Sequence, residues 1–169
     1  PKRNHVSGSA DNPPPPDPPS IRGLDVLHEV RRTGESIIYR ARRGGAQYAV
    51  RVSRSRTRAD SRQLHRFRRD AAIHASLEHP LIPTSYQVGV SEGRPYVVTE
   101  YVEGDTLTEW LDGGRLAESM AVVISGAIAG ALGQIHARGL FHGDLRPENV
   151  VLTEQGEIKL VDVGLVPIR

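Results

Sequence analysis

Three residues with oxygen-bearing side chains lie near the end of the sequence at a spacing that suits phosphoryl transfer. In the stretch FHGDLRPEN, Asp144 precedes Asn149 with Pro147 between them, and Asp162 follows in VDVG. A carboxylate on a stiff loop can orient or deprotonate a hydroxyl group, and carboxylate and amide oxygens are suitable Mg²⁺ ligands. Phosphoryl transfer needs placed cations, a held triphosphate and a positioned hydroxyl. Each residue alone is equally well explained by capping a turn or satisfying loop backbone.

The segments before this loop predict a sheet interrupted by one helix. Short runs rich in β-branched and aromatic residues are separated by glycine-containing turns, which is typical of strands. These runs are residues 25–31, 36–43, 47–53, 85–91 and 94–102. Between the third and fourth runs, Asp60 is a candidate N-cap for a helix to about Glu78. Its apolar face consists of Leu64, Phe67, Ala71, His74 and Leu77.

Helices dominate the segment that leads to the loop. A short helix is predicted around Thr106–Leu111 and a long one over Ala117–Ala137, with Gly139 as its C′ residue. An apolar stripe on the long helix is formed by Val123, Ile124, Ala127, Ile128, Ala131, Leu132 and Ile135. After the loop, residues 150–153 and 157–161 predict a hairpin that turns at Gln155–Gly156.

This order of elements, together with FHGDLRPENVVL and VDVG, resembles the protein kinases, particularly bacterial serine/threonine kinases of the eukaryotic-like type. The resemblance implies an α+β fold. A five-stranded antiparallel small lobe with one helix precedes the first part of a mainly helical large lobe, cut short after the DxG motif. We expect a disordered proline-rich tail at 1–22, the small lobe at 23–101, and the hinge and partial large lobe at 102–169.

The resemblance also assigns roles to the large-lobe residues. It implies ATP and Mg²⁺ as cofactors, and a serine or threonine hydroxyl of a protein as the phosphoryl acceptor. Asp144, Arg146 and Asn149 become the catalytic residues, with Arg146 in place of the usual lysine that faces the γ-phosphate. Asn149 and Asp162 become the metal ligands. Tyrosine as an acceptor stays open, because the segment that selects the acceptor is not in this sequence.

The resemblance extends, more weakly, to the hinge. Glu100 and Val102 correspond to the residues whose backbone groups meet the adenine edge, and Thr99 to the back wall of the pocket. Asp105 corresponds to a residue that reaches a ribose hydroxyl. The alternative is a strand that simply leaves a sheet at this point.

Two charged positions of the small lobe depart from the family pattern. The third strand reads AVRV, so that Arg51 stands where the family has lysine, and Asp70 stands where the helix carries glutamate. A longer cation faces a shorter carboxylate, and we expect Arg51 and Asp70 to form the ion pair, with the arginine displaced from the phosphates. An accidental co-occurrence of the two changes is the alternative.

The loop that covers the phosphates has lost its glycines. Arg31, Thr33 and Ser36 stand at the three glycine positions, and Gly34 alone remains within the turn. Side chains there obstruct the close backbone approach that glycine permits. Gly143 also replaces the arginine before the catalytic aspartate, which indicates no control by a phosphorylated activation segment.

Composition limits the remaining function classes. The sequence has no cysteine and no signal-peptide pattern, which fits a cytoplasmic chain, and no run approaches 18 apolar residues. Lys2 and Lys159 are the only lysines. Eight arginines lie in residues 51–69, which can indicate a nucleic-acid partner, although a solvated helix face without stacking aromatics is favoured.

Two main hypotheses therefore remain for the function. The first is the N-terminal part of a serine/threonine kinase, active in the complete protein. The second is a pseudokinase, a scaffold or regulatory binding module with little catalysis, which the altered Arg51 and lost glycines favour. In either case we expect the long helix to leave apolar surface for the rest of a kinase domain or for a covering partner. The proline-rich tail is a spacer or a recognition ligand.

Overall fold

The computed structural model describes residues 18–34, 36–56, 75–114, 116–163 and 166–167, together with residues 62, 65 and 72. Most of the predicted 60–78 helix lies outside these ranges, including Asp60 and Asp70. Arg62, His65, Ala72 and Ala75 are described, and all four are helical. The prediction that Arg51 pairs with Asp70 therefore stays a prediction.

Five antiparallel strands form the small-lobe sheet, which confirms the predicted architecture. They are β1 (Asp25–Arg32), β2 (Ser36–Arg43), β3 (Ala46–Ser53), β4 (Ser85–Ser91) and β5 (Arg94–Glu100). The spatial order is β1-β2-β3-β5-β4. The β2–β3 hairpin turns at Gly44 and Gly45, whose φ angles of 55° and 90° are those that a two-residue turn of this hand requires.

One face of this sheet supplies the small-lobe core. Ile37, Tyr39 and Ala41 alternate along β2 and are each at most 3% exposed, and Val50 and Val52 do the same on β3. Strand side chains point to opposite faces in turn, so this spacing places all five on one side. Leu24 and Ile21, just before β1, join the same cluster.

The large lobe is built from helices and short strands that follow the hinge. They are β6 (Asp105–Thr106), α1 (Leu107–Asp112), α2 (Glu118–Ala137), β7 (Leu140–Phe141), a 3-10 turn (Pro147–Asn149), β8 (Val150–Leu152), β9 (Ile158–Leu160) and β10 (Val166–Pro167). The two helices and the hairpin that were predicted for the large lobe are confirmed to within two residues. The two-residue strands β6, β7 and β10 were not predicted, since they are too short to show a periodicity.

Local sequence explains where these elements begin and pack. Thr106 and Glu109 form a capping box at the start of α1, in which each side chain satisfies the other residue's backbone N–H. Gly104 lies against β8, and a Cβ there would overlap the Leu152 carbonyl oxygen. The chain after the hinge is thereby packed closely against β8.

Helix α2 is buried along only part of its apolar stripe. Ile124, Ala131 and Ile135 are at most 3% exposed and pack in the large-lobe core. Val123, which the stripe included, is 61% exposed, and Val122 is 67% exposed. By length and composition α2 is also apolar enough to cross a membrane, a property that core helices of soluble proteins share.

Candidate active site

A buried asparagine organises the catalytic loop between β7 and β8. Asn149 is fully buried, and its Nδ2 donates to the backbone oxygen of Asp144 at 2.7 Å and to its Oδ2 at 3.1 Å. The Val161 N–H donates to the Asn149 backbone oxygen at 2.9 Å, which ties the loop to the segment after β9. Pro147 sits in the first turn of the 3-10 segment. Asp144 and Asn149, which the sequence places five residues apart, are thus in direct contact.

His142 supports the loop from below. Its ring is 2% exposed, and its Nδ1 accepts a hydrogen bond from the Asp144 N–H at 3.4 Å. Burial lowers the pKa of His142 below its ordinary value, while the neighbouring Asp144 and Asp162 carboxylates oppose the shift. The neutral imidazole is therefore favoured, with its proton on Nε2, which has no hydrogen-bond partner among the described residues.

Asp162 adopts a backbone conformation that its residue type rarely takes. Its φ of 55° lies in the left-handed region, which costs a non-glycine residue roughly 1 kcal/mol or more. Its side chain is 15% exposed and forms an ion pair with the Arg31 guanidinium. Strained backbone at an aspartate between two lobes is typical of a functional position.

The same guanidinium joins both predicted metal ligands. Arg31 Nη2 donates to Asn149 Oδ1 at 2.6 Å as well as to Asp162 Oδ2, and Nη1 donates to the Glu148 backbone oxygen at 3.2 Å. The donor atoms have the hard-oxygen chemistry that Mg²⁺ prefers. Both oxygens are engaged by Arg31, however, and the described residues contain no cluster of three His, Cys, Asp or Glu side chains that could hold a metal ion. In this arrangement the site does not fit Mg²⁺.

An apolar cleft of about 200 Å³ separates the small-lobe sheet from the large lobe. Val30 and Ala49 line it on the sheet side, and Val151 and Leu160 line it from below. The hinge residues Thr99, Glu100, Tyr101 and Val102 form one end. Arg31, Arg51, Glu148 and Asp162 line the cleft as well, so that it offers both apolar walls and charged groups.

The hinge residues lie at the cleft, and their roles toward adenine stay predictions. Glu100 and Val102 both line the cleft, and the Glu100 N–H donates to the Thr84 backbone oxygen at 2.8 Å. The Glu100 carboxylate lies 3.6 Å from the Lys159 ammonium. Asp105 is exposed in β6, between the cleft-lining residues Gly104 and Thr106. Its assignment to a ribose hydroxyl stays a prediction.

Arg51 reaches toward the DVG segment. It lines the cleft from β3, and its Nη2 donates to the Val163 backbone oxygen at 3.2 Å. A guanidinium at this position therefore binds a backbone carbonyl of the large lobe. Its role toward a nucleotide stays a prediction.

The turn between β1 and β2 is closed by side chains instead of glycines. Thr33 Oγ1 accepts from the Ser36 N–H at 3.0 Å, and the Thr33 N–H donates to the Ser36 backbone oxygen at 2.8 Å. Arg54 Nη1 donates to the backbone oxygens of Thr33 and Gly34 at 3.1 and 3.2 Å. Thr33 and Ser36 thus satisfy each other here, and Gly34 serves the turn as a carbonyl acceptor.

Arg146 is paired with its neighbour. Its Nε and Nη2 donate to the two Glu148 carboxylate oxygens at 2.8 and 2.7 Å. This hydrogen bonding lowers the pKa of Glu148 to about 2. Both side chains are substantially exposed, so the pair is a weak surface contact that a stronger anion can replace.

The structure thus brings Asp144, Asn149 and Asp162 together, and it places Arg51, Glu100 and Val102 along the same cleft. Sequence reasoning missed the importance of Arg31, which it treated only as an obstruction in a glycine position. The available signal was the residue type itself: a long, charged arginine stands at a position of the phosphate-covering turn where the family has glycine. It also missed His142 as the residue that supports the loop, although a histidine inside FHGD was visible.

Comparisons with known proteins agree with this geometry. The family model of the protein kinase domain matches residues 32–168. The probable serine/threonine-protein kinase PknB of Lactococcus lactis is 33% identical over 144 residues, which cover 83% of this chain and 23% of that protein. The probable serine/threonine-protein kinase SCO3848 of Streptomyces coelicolor is 38% identical over 141 residues, which cover 79% and 21%. The chain spans about a fifth of the length of these two relatives.

A solved structure has the same arrangement of elements. The Mycobacterium tuberculosis PknI kinase domain superposes with a TM-score of 0.74 at 29% sequence identity. The match covers 87% of this chain and 62% of that one.

Proposed function

This chain belongs to the protein kinase family, and on that premise we propose that it forms the ATP-binding cleft of a serine/threonine kinase. In a chain with the whole kinase domain, the γ-phosphoryl group of ATP passes to a serine or threonine hydroxyl of a protein substrate. We place this reaction in the cytoplasm. The family's Mg²⁺ ligands correspond to Asn149 and Asp162, but Arg31 engages both oxygens here, so no step of this proposal depends on the metal.

One observation carries the proposal. A single cleft runs from the hinge residues Glu100 and Val102, past the apolar walls, to Glu148 and Asp162. An adenine base suits the apolar hinge end, where backbone groups can recognise its edge. Its phosphates would then extend toward Asp162 and the loop that holds Asp144.

Asp144 is the residue we assign to the acceptor hydroxyl. Its carboxylate is held by Asn149 Nδ2, and its backbone N–H by His142, so that its position is fixed while the residue itself stays exposed. A fixed, exposed carboxylate can orient the attacking hydroxyl and accept its proton. Transfer then moves the γ-phosphoryl group from ATP to the hydroxyl oxygen, ADP leaves with the electron pair of the broken O–P bond, and the hydroxyl proton passes to Asp144.

A matched pair of variants, each with one alanine of β3 replaced by leucine, tests nucleotide binding. Ala49 lines the cleft on β3, so Ala49→Leu fills the space proposed for the base, whereas Ala46→Leu enlarges an exposed position on the same strand. We expect Ala49→Leu to abolish ATP binding by calorimetry and Ala46→Leu to leave it unchanged. Equal binding by both variants, with melting curves like the parent, would refute the assignment of the cleft.

Catalysis is tested separately, in a chain that contains the complete kinase domain. We expect Asp144→Asn to lower phosphotransfer by about 10²–10⁴-fold, the usual contribution of a general base, while ATP binding is retained. The engagement of Asn149 and Asp162 by Arg31 favours the second candidate, a pseudokinase that binds ATP without transferring phosphate. ATP binding without phosphotransfer in the unmodified protein would support that candidate and exclude the active kinase.

A further inference from the structure

The Arg31 guanidinium occupies the position between the two oxygens that a divalent cation would use. It contacts Asn149 Oδ1 at 2.6 Å, Asp162 Oδ2 in an ion pair, and the Glu148 backbone oxygen at 3.2 Å. These partners lie 117 to 131 residues away in sequence. Arg31 therefore connects the end of β1, above the cleft, with the catalytic loop and Asp162 below it.

Charge and hydrogen-bond geometry make this guanidinium a substitute for a metal ion. Arginine does not lose its proton in proteins, so the positive charge is permanent. Its planar fork presents several donors at once, here to an amide oxygen, a carboxylate and a carbonyl. Mg²⁺ also demands oxygen ligands, at much shorter distances and in octahedral geometry. A guanidinium and Mg²⁺ therefore cannot use Asn149 Oδ1 and Asp162 Oδ2 together.

The guanidinium also has capacity for a further anion. Its side chain is 29% exposed at the cleft, and its Nε is buried without a hydrogen-bond partner among the described residues. The exposed part of this permanently charged guanidinium beside the cleft favours an anionic ligand, and arginine suits phosphate oxygens in particular. Arg51 lines the same end of the cleft and adds a second guanidinium.

We infer that Arg31 replaces the divalent cation in this chain, so that the cleft binds a metal-free nucleoside triphosphate. The inference rests on the proposed ATP cleft and specifies the form of its ligand. The phosphates accept hydrogen bonds from Arg31, which stays anchored on Asn149 and Asp162. A divalent cation reaches those two residues only when Arg31 is removed.

Nucleotide binding with and without metal gives the first test. ATP is titrated into the chain by calorimetry in excess EDTA and in excess Mg²⁺, for the parent, Arg31→Met and Arg32→Met. Arg31→Met keeps most of the length and removes the charge. Arg32→Met is the matched control, because Arg32 pairs with Glu29 at 2.9 and 2.5 Å instead of contacting the floor.

The parent and Arg32→Met should bind ATP with affinities that agree within about twofold in the two buffers. Arg31→Met should bind about tenfold or more weakly in EDTA, because charge-assisted hydrogen bonds to phosphate are lost, and should recover in Mg²⁺. Arg31→Gly, which restores the family's residue, provides a second variant with the same expectation if Arg31→Met does not melt cooperatively. Mg²⁺-enhanced binding by the parent would overturn the inference.

Mn²⁺ binding without nucleotide separates this inference from the proposed function. Mn²⁺ prefers oxygen ligands similar to those of Mg²⁺. The electron paramagnetic resonance signal of the free ion gives the concentration of unbound Mn²⁺. We expect Arg31→Met to bind Mn²⁺ more tightly than the parent, and Asp162→Asn in the same variant to remove the gain. Equal Mn²⁺ binding by the parent and Arg31→Met overturns the inference. Absence of ATP binding by every variant overturns the ATP cleft, while the Mn²⁺ comparison still decides the role of Arg31.

Discussion

The floor and the roof of the cleft differ in how they are held. The floor, residues 141–149 with Asp162, contains Asn149 and His142, which are at most 2% exposed and make hydrogen bonds within the loop. The roof, residues 31–34 and Ser36, is partly exposed and is closed by contacts between Thr33 and Ser36 and by Arg54. The floor keeps the family's Asp144, Asn149 and Asp162, although Gly143 and Arg146 differ, whereas the roof has exchanged its glycines for side chains.

This difference indicates which substitutions a kinase fold tolerates. Floor residues are buried among polar partners, so replacing one leaves other groups unsatisfied and is costly. Roof residues have solvent on one side, and new side chains there can find new partners. Arg31 is the case in which a roof side chain has reached the floor, and there it satisfies Asn149 and Asp162. The altered roof is thus a source of binding groups as well as a loss of backbone access.

The largest expected difference between the two regions is in stability. Asn149→Ala removes three side-chain hydrogen bonds at a fully buried position, and we expect it to lower the free energy of unfolding by about 2–4 kcal/mol. Thr33→Ala on the roof removes a hydroxyl from a partly buried turn and should cost about 0.5–1.5 kcal/mol.

Urea unfolding of both variants, followed by circular dichroism, measures the two changes against the parent. Asn149→Asp provides a control, since it keeps the size and one acceptor oxygen and loses the Nδ2 donors. Similar losses for Asn149→Ala and Thr33→Ala would remove the contrast between a polar, buried floor and a tolerant roof.

A smaller effect is expected in the pH dependence of stability, which His142 in the floor should increase. Because burial lowers the pKa of His142, the unfolded chain takes up a proton at this residue before the folded chain does. The contribution to stability is complete above the ordinary histidine pKa of about 6.5 and is lost as pH falls through the window below it. We expect the parent to lose more stability between pH 7 and 5 than His142→Asn, which keeps an acceptor for the Asp144 N–H.

Melting temperatures at several pH values test this expectation. The other six histidines are the same in both proteins, so that the difference between parent and variant isolates His142. Parallel pH profiles of the melting temperature would show that protonation of His142 does not change the stability of the folded chain.

Much of the floor could be predicted from the sequence, because its signals are local. Asp144 and Asn149 are five residues apart in one loop, and their contact follows from that loop's turn. The strands were visible in β-branched runs between glycines, and the long helix in its apolar spacing. These patterns depend on neighbours within a few residues, which is the range over which sequence reasoning is reliable.

The key roof contact could not be predicted in the same way. Arg31 reaches Asp162 across 131 residues, and a long, flexible side chain has many conformers that only the folded cleft selects among. The left-handed backbone of Asp162 was hidden for a similar reason, since aspartate takes such a φ of 55° more often than most residues but still at only a minority of positions. Tertiary packing decides both features.

The smallest expected effect concerns the attachment of the roof to β3. Arg54 donates to the carbonyl oxygens of Thr33 and Gly34 at an exposed site, so we expect Arg54→Ala to lower stability by only about 0.5 kcal/mol. Its local effect should be larger, because the turn loses its connection to the sheet. Hydrogen exchange at the Thr33 and Ser36 amides, which bond within the turn, should become faster than in the parent.

Arg56→Ala is the control, since Arg56 is an exposed arginine two residues further along the chain. Floor amides such as Val161, which donates to the Asn149 backbone oxygen, should exchange at the parent's rate in both variants. Faster exchange at Val161 in Arg54→Ala would mean that the turn and the floor open together. Arg31 would then act as a joint between two parts of one cooperative unit, and the separation of roof from floor would be wrong.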